Sequence, residues 1–278
     1  MEYLLKYNDT ELSFGNNIFV TNWDGAGVDD IISTTANIGD GSTVNKARHP
    51  ERQIIINIRV FNERQKQAVY DIFTTRKKGI LTYYPYDDEP AKQIDCKVTS
   101  VKPNGSAMPT VMQIVLLCTY PFWRSVDKHV ALVNGTTNAL EFPLEIPYKS
   151  ALVFGYIKSG NAAIFDYGGN VATGFTANIL TSTAASIIRL TNFYTNEYVE
   201  IRGDYDANSE FQICTEDGNQ KILHRIAGEA TWSDITIDIA WGSTFFKLTP
   251  GINRIFINAY GAELSDTTVD FTLKFGGV

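Results

Sequence analysis

The chain has little of what catalytic and disulfide-stapled proteins depend on. Its 278 residues hold three cysteines and three histidines. Cys96, Cys118 and Cys214 are odd in number, widely spaced and without a Cys-x-x-Cys pair, so neither a disulfide framework nor a zinc site is indicated, and buried thiols are expected. His49, His129 and His224 lie far apart and outside any His-x-x-x-His or His-Glu-x-x-His frame, which argues against a metal or triad role. Positive charge is also short, with 24 Lys and Arg against 31 Asp and Glu, a formal charge of -7. That balance disfavours attraction to phosphate backbones and anionic membrane surfaces, so no nucleic-acid binding is expected. No apolar run approaches the roughly 20 residues of a membrane span. The N-terminal Met1 to Tyr7 lacks the apolar core of a signal peptide, so the reading is no membrane insertion and synthesis in a cytoplasm-like compartment.

What is present is β-strand material. Aromatics make up 12% of the chain, accompanied by 21 glycines and many short alternating runs, a mainly β pattern. Ile54, Ile56, Ile58 and Val60 share one face of a strand while Asn57 and Arg59 point away. Further strands are expected over 80–86, 94–101 and 111–120, the last apolar on both faces. One segment has helical period. Asn62 can cap, Gln65 is its reciprocal partner three residues on, and Ala68, Val69, Ile72 and Phe73 form an apolar stripe. Arg76, Lys77 and Lys78 complement the dipole at the far end, and Gly79 supplies the stop, so a helix is predicted over about 62–78.

Between Trp23 and Arg52 the chain turns polar and coreless, above all from Ser33 to Thr43. An isolated β-arm over about 33–48, ordered by a partner, has this composition. A domain boundary is expected between Val126 and His129, dividing the chain into residues 1–128 and 129–278. In the second part, turn signals recur at Asn134-Gly135, Ser159-Gly-Asn161, Gly168-Gly-Asn170, Gly203-Asp204, Asp217-Gly-Asn219, Gly242 and Pro250-Gly251, a spacing suited to a β-sandwich. Ile235, Ile237 and Ile239 alternate with polar residues, as do Val269, Phe271, Leu273 and Phe275; each set is expected to form one dry strand face. The run from Phe245 to Ile257 reads as two strands about a Thr249-Pro-Gly-Ile-Asn253 turn, a hairpin shaped by Pro250, Gly251 and Asn253.

The order of these parts resembles the distal tail proteins of long-tailed siphophages and prophages of Gram-positive bacteria. The first half carries the Trp23-Asp24-Gly25-Ala26-Gly27 turn, Gly39-Asp-Gly41 followed by Arg48 and Arg52, the Ile54 to Phe61 strand, the helix, and Cys118-Thr-Tyr-Pro-Phe-Trp-Arg124. The second half carries Ser159-Gly-Asn161, Glu197-Tyr-Val-Glu-Ile201, Phe211-Gln-Ile213 with Asp217-Gly218, and Phe246-Lys-Leu-Thr-Pro-Gly-Ile-Asn253. The resemblance implies an N-terminal β-sandwich with one helix and a projecting hairpin arm, then a C-terminal jelly-roll sandwich of the galectin or carbohydrate-binding-module type. It further implies a non-enzymatic hub of the tail tip or baseplate. In such a hub a ring, expected to be hexameric, joins the major tail tube protein and tape measure protein to the tail-associated fibre or lysin protein. A receptor-binding protein or a host cell-wall saccharide would be a further partner. The protein would be assembled in the host cytoplasm and end in the virion. The arm here is rich in Ser, Thr and Gly, and the C-terminal domain has no long insertion.

Candidate site residues follow from both readings. Ser33, Thr43, Arg48 and Arg52 are candidates for contact between subunits, with Arg76, Lys77 and Lys78 nearby. The rival reading, a carbohydrate-binding adhesion module, would use Tyr205, Trp232, Trp241 and Tyr260 for stacking on sugar rings if they share an exposed face. A cell-wall hydrolase would need two carboxyls at a set separation. Glu197, Glu200, Glu216 and Asp217 are available, but no spacing singles out a pair. Asp87-Asp88-Glu89 lacks the liganding pattern of a calcium loop. No catalytic residue, metal or cofactor is assigned.

Overall fold

The computed structural model describes residues 4–8, 10–12, 19–27, 31–36, 42–74, 78–85, 89–138, 155–158 and 160–278. The chain divides into two compact units, residues 1–126 with 274–278, and residues 127–273.

The first unit is built on strands β1 (Leu4–Tyr7), β2 (Thr10–Glu11), β3 (Phe19–Asp24), β4 (Ile31–Ala36), β5 (Ser42–Arg48), β6 (Arg52–Val60), β7 (Lys78–Tyr84), β8 (Lys92–Pro103), β9 (Thr110–Cys118) and β10 (Trp123–Ser125), with helix α1 (Glu63–Ile72) after β6. One antiparallel sheet runs β2-β1-β7-β8-β9-β6-β3, and β10 adds to β8. Alternation decides what it buries. Ile54, Ile56, Ile58 and Val60 of β6 face inward with Ile94, Cys96 and Val98 of β8 and Met112, Ile114, Leu116 and Cys118 of β9. Register shifts at Val98/Ser100 and Val20/Asn22 bend the sheet around this core.

Helix α1 begins as its cap predicts. Asn62 Oδ1 accepts from Gln65 N at 2.9 Å, and Gln65 Oε1 reaches back to Phe61 N at 2.8 Å. It ends at Ile72, earlier than the expected residue 78. Tertiary packing is the cause. Phe73 caps the helix, its N–H bonded to Val69 O, and its ring is buried 4.8 Å from that of Tyr7. Gly79 is therefore not a helix stop; it lies in β7, opposite Cys96. Arg76 and Lys77 lie outside the described residues, and Lys78 opens β7.

The C-terminal strand Lys274–Phe275 pairs with β10, Trp123 opposite Phe275 and Arg124 opposite Lys274, and Val278 N donates to Ala26 O. The expected division left these residues in the second domain. Alternation from Val269 to Phe275 is broken at Thr272 and Leu273, where the chain leaves the ladder.

The second unit is a sandwich of strands β11 (His129–Asn138), β12 (Gly155–Lys158), β13 (Ala162–Tyr167), β14 (Thr176–Thr181), β15 (Ala185–Asn192), β16 (Tyr198–Tyr205), β17 (Ser209–Cys214), β18 (Lys221–Ile226), β19 (Ser233–Asp234), β20 (Gly251–Tyr260) and β21 (Leu264–Phe271). A seven-stranded sheet, β12-β11-β21-β14-β17-β18-β19, faces a four-stranded sheet, β13-β20-β15-β16. Ala177, Ile179, Phe211, Ile213 and Val269 meet Ile188, Leu190, Val199, Ile201, Ile255 and Ile257 in one core.

Two sequence expectations are corrected here. Ile237 does not face a core; it is 91% exposed within a 3-10 turn, Thr236–Asp238. Asp234 Oδ1 accepts from both Thr236 N and Thr236 Oγ1, turning the chain before the alternation can continue, while Thr236 Oγ1 accepts from Ile222 N. The Thr249 to Asn253 turn is real, but it does not join two paired strands. Leu248 bridges to Thr173, whereas β20 pairs with β13 and β15. Gly251 takes φ +93°, and the buried Asn253 side chain accepts from Thr249 N and donates to Thr249 O and Gly251 O.

Candidate interaction surfaces

The arm of the first unit is a β4–β5 hairpin, with Ser33 opposite Lys46, Thr35 opposite Thr43 and Ile31 opposite Arg48. Among the described residues it pairs only with itself, so each strand keeps an open backbone edge. The side chains of Ser33, Thr43 and Arg48 and the Gly39-Asp-Gly41 element lie outside the described residues.

Arg52 is withdrawn from the interface candidates. It is 7% exposed, and its guanidinium donates to Gly25 O at 3.3 Å and to Gly276 O. Burying a guanidinium requires such partners, and their position ties the Trp23 to Gly27 turn to the chain end.

The titratable residues have structural settings. His49 lies edge-on to Phe122 at 4.9 Å, and His129 stacks on Phe271 at 5.6 Å. His224 packs on Tyr205 and Phe211 and approaches Ser209 Oγ at 3.0 Å; burial holds its pKa below the usual imidazole value. Glu200, buried, is held by Arg189 at 3.4 Å and Arg202 at 2.6 Å. Asp217 pairs with Lys247 at 2.7 Å, and Glu197 accepts from Thr195 Oγ1. Asp87 and Asp88 lie outside the described residues, while Glu89 faces Lys92 at 3.9 Å. Among the described residues no group of three or more His, Cys, Asp or Glu is placed to hold a metal ion.

The four aromatics proposed for sugar stacking do not form one face. Tyr205 is buried, its ring edge-on to Phe211 at 4.9 Å, and is removed from the set. Trp232 lies beside β19 with the Arg225 guanidinium 4.3 Å over its ring. Trp241 is 99% exposed on the segment that runs along β16, where Ala240 N donates to Glu200 O and Thr244 N to Tyr198 O. Tyr260, half exposed at the end of β20, borders an open cleft of about 720 Å³ lined also by Asn134, Asn161, Asn258 and Glu263. Asn161 Nδ2 donates to Asn258 Oδ1 at 2.8 Å, and Asn134 Nδ2 to Leu264 O at 2.6 Å. In the sequence Asn134 and Asn161 stand in turn signals. Only the pairing of β11 with β21 and of β13 with β20 brings them to one cleft.

Residues 168–275 match the family of siphovirus-type tail components, C-terminal domain. No curated protein matches the chain. Among solved structures it is similar to the Dit protein of phage SPP1, described as a paradigm of the hub adsorption apparatus in phages infecting Gram-positive hosts. The TM-score is 0.71 at 14% identity over 99% of this chain and 100% of that one. It is also similar to a chain of the phage P2 baseplate in its activated conformation with Ca, with TM-score 0.53 at 11% identity and complete coverage of both chains. At these identities the likeness is one of fold. The expected class, mainly β with one helix, is borne out, and the resemblance to distal tail proteins is matched by the family model over residues 168–275 and by the shared fold.

Proposed function

We propose that this chain is a siphovirus-type tail component, a non-enzymatic hub of the tail tip that closes into a cyclic oligomer, a hexamer, through its first unit. The ring joins the tail tube and tape measure proteins to the fibre or lysin protein below and to baseplate components such as a receptor-binding protein. It is made and assembled in the host cytoplasm and carried in the virion. One observation carries this reading: a hub protein of a Gram-positive phage shares the fold over 99% of this chain, arm-bearing unit included. Ring closure needs a patch on one subunit that fits a different patch on the next after a fixed rotation. The β4–β5 hairpin, which among the described residues pairs only with itself, offers edges for adding to a neighbour's sheet, with Ser33, Thr43 and Arg48 on or beside the contact. Deleting residues 33–43 and weighing the oligomer by light scattering tests this; an unchanged mass would remove the arm from the contact.

A second reading is supported by the cleft at Tyr260. Three asparagine amides, a carboxylate and a half-exposed ring suit a saccharide, whose hydroxyls need paired donors and acceptors and whose apolar face stacks on aromatics. A glycan array with the full chain tests it, Tyr260→Ala and Asn258→Ala losing the signal and Trp232→Ala and Trp241→Ala retaining it.

A further inference from the structure

The solvent face of the four-stranded sheet holds an arginine in an unusual setting. Arg254 projects from β20 between Phe193 and Phe256, with its guanidinium carbon 4.7 and 4.8 Å from the two ring centroids. Its Nε is buried without a hydrogen-bond partner, and among the described residues no ion pair includes Arg254. The other arginines of this face are satisfied, since Arg189 and Arg202 share Glu200. Two isoleucines and one acid frame the site, the exposed Asp166 lying across the ladder from Ile252. Ile164 lies directly across the ladder from Arg254 and is 57% exposed, and Ile252, two residues along β20, is 64% exposed. Tyr194 stands edge-on to Phe193 at 5.3 Å and is exposed as well.

This composition, an arginine held by aromatic rings within a largely apolar rim, is that of a binding hot spot rather than of a solvated sheet face. The two rings restrict the side chain before any ligand arrives, so little rotamer freedom remains to be lost on binding. We propose that this face docks a partner protein through an Asp or Glu carboxylate that pairs with Arg254, carried on a segment whose apolar neighbours cover Ile164, Ile252 and Tyr194. Charge selects the carboxylate, because the guanidinium is a planar fork that matches it. The rim selects a protein. A phosphate-bearing polymer would leave the isoleucines wet, and its repeated charges meet the repulsion of a chain of net charge -7 many times over where a single carboxylate meets it once.

The contact is independent of ring closure and is read on the soluble full chain. A random peptide library is selected on the immobilised protein, and enriched peptides are measured by fluorescence anisotropy against wild type, Arg254→Gln, Arg254→Lys and Ile252→Ser, each checked for folding by circular dichroism. The expected result is a consensus of one acidic residue flanked by apolar ones. Affinity should fall about tenfold or more in Arg254→Gln and on changing the peptide acid to its amide, with smaller losses in Arg254→Lys and Ile252→Ser. Absence of any enriched peptide, a consensus without an acid, or equal binding by folded Arg254→Gln would overturn the proposal. Arg254-dependent binding of poly(glycerol phosphate) in place of peptides would also overturn it, reassigning the face to an anionic polymer.

Discussion

The ring of Tyr7 fills the space into which a Cβ on Gly79 would project. Strands β1 and β7 are paired there, Tyr7 opposite Leu81, and Asn8 closes the ladder by exchanging bonds with Ile80. Gly79→Ala therefore forces either the ring or the strand to move, and Tyr7 is pinned by Phe73. The expected cost is about 1–3 kcal/mol, as for other overpacked core sites. Denaturant unfolding of the variant checks it, and an unchanged midpoint would mean that the ring moves freely.

Ile237 offers the opposite case. Its exposed position on a 3-10 turn makes Ile237→Asp nearly neutral, within about 0.5 kcal/mol. Ile257→Ala, in the centre of the sandwich core, should cost about 2–5 kcal/mol. Calorimetry of the two variants separates a turn residue from a core residue that the same alternating pattern would place alike.

Asn253 replaces the missing hairpin pairing with its own side chain. Asn253→Ala removes one accepted and two donated bonds and leaves Thr249 N and two carbonyls to find water near a closed turn. The loss should be about 1–3 kcal/mol, visible as a lowered melting temperature without change in oligomer mass.

Strand periodicity made most of the first unit legible. The inward faces of β6 and β8 are where alternation puts them, because both strands have neighbours and one wet side. The start of α1 was also readable, since capping is local chemistry. Its end was not, because Phe73 is drawn into a core that no local signal reports. Ile237 was misread for a related reason, an Asp234 side chain competing with the strand. The surfaces were least legible. Asn134 and Asn258 come from two strands and Asn161 from the turn before a third, and the setting of Arg254 depends on which acids do not reach it.

Burial pushes the Cys96 and Cys118 thiols up to about 12, with mutual charge repulsion adding to it for Cys96 and Arg52 opposing it for Cys118. Each thiol stays neutral in the fold but ionises from its ordinary value of 9.0 in the unfolded chain. The stability they contribute is whole below that value and is lost as pH rises from it toward about 12. Urea midpoints should fall above about pH 9, and the decline should be shallower in Cys96→Ala than in wild type. Iodoacetamide should label these thiols only after unfolding.

Hub assembly is measured most directly by electron microscopy of the purified chain. A closed ring of six copies around a central hole is the predicted image. Monomers or open chains, at concentrations where the protein is folded, would contradict it.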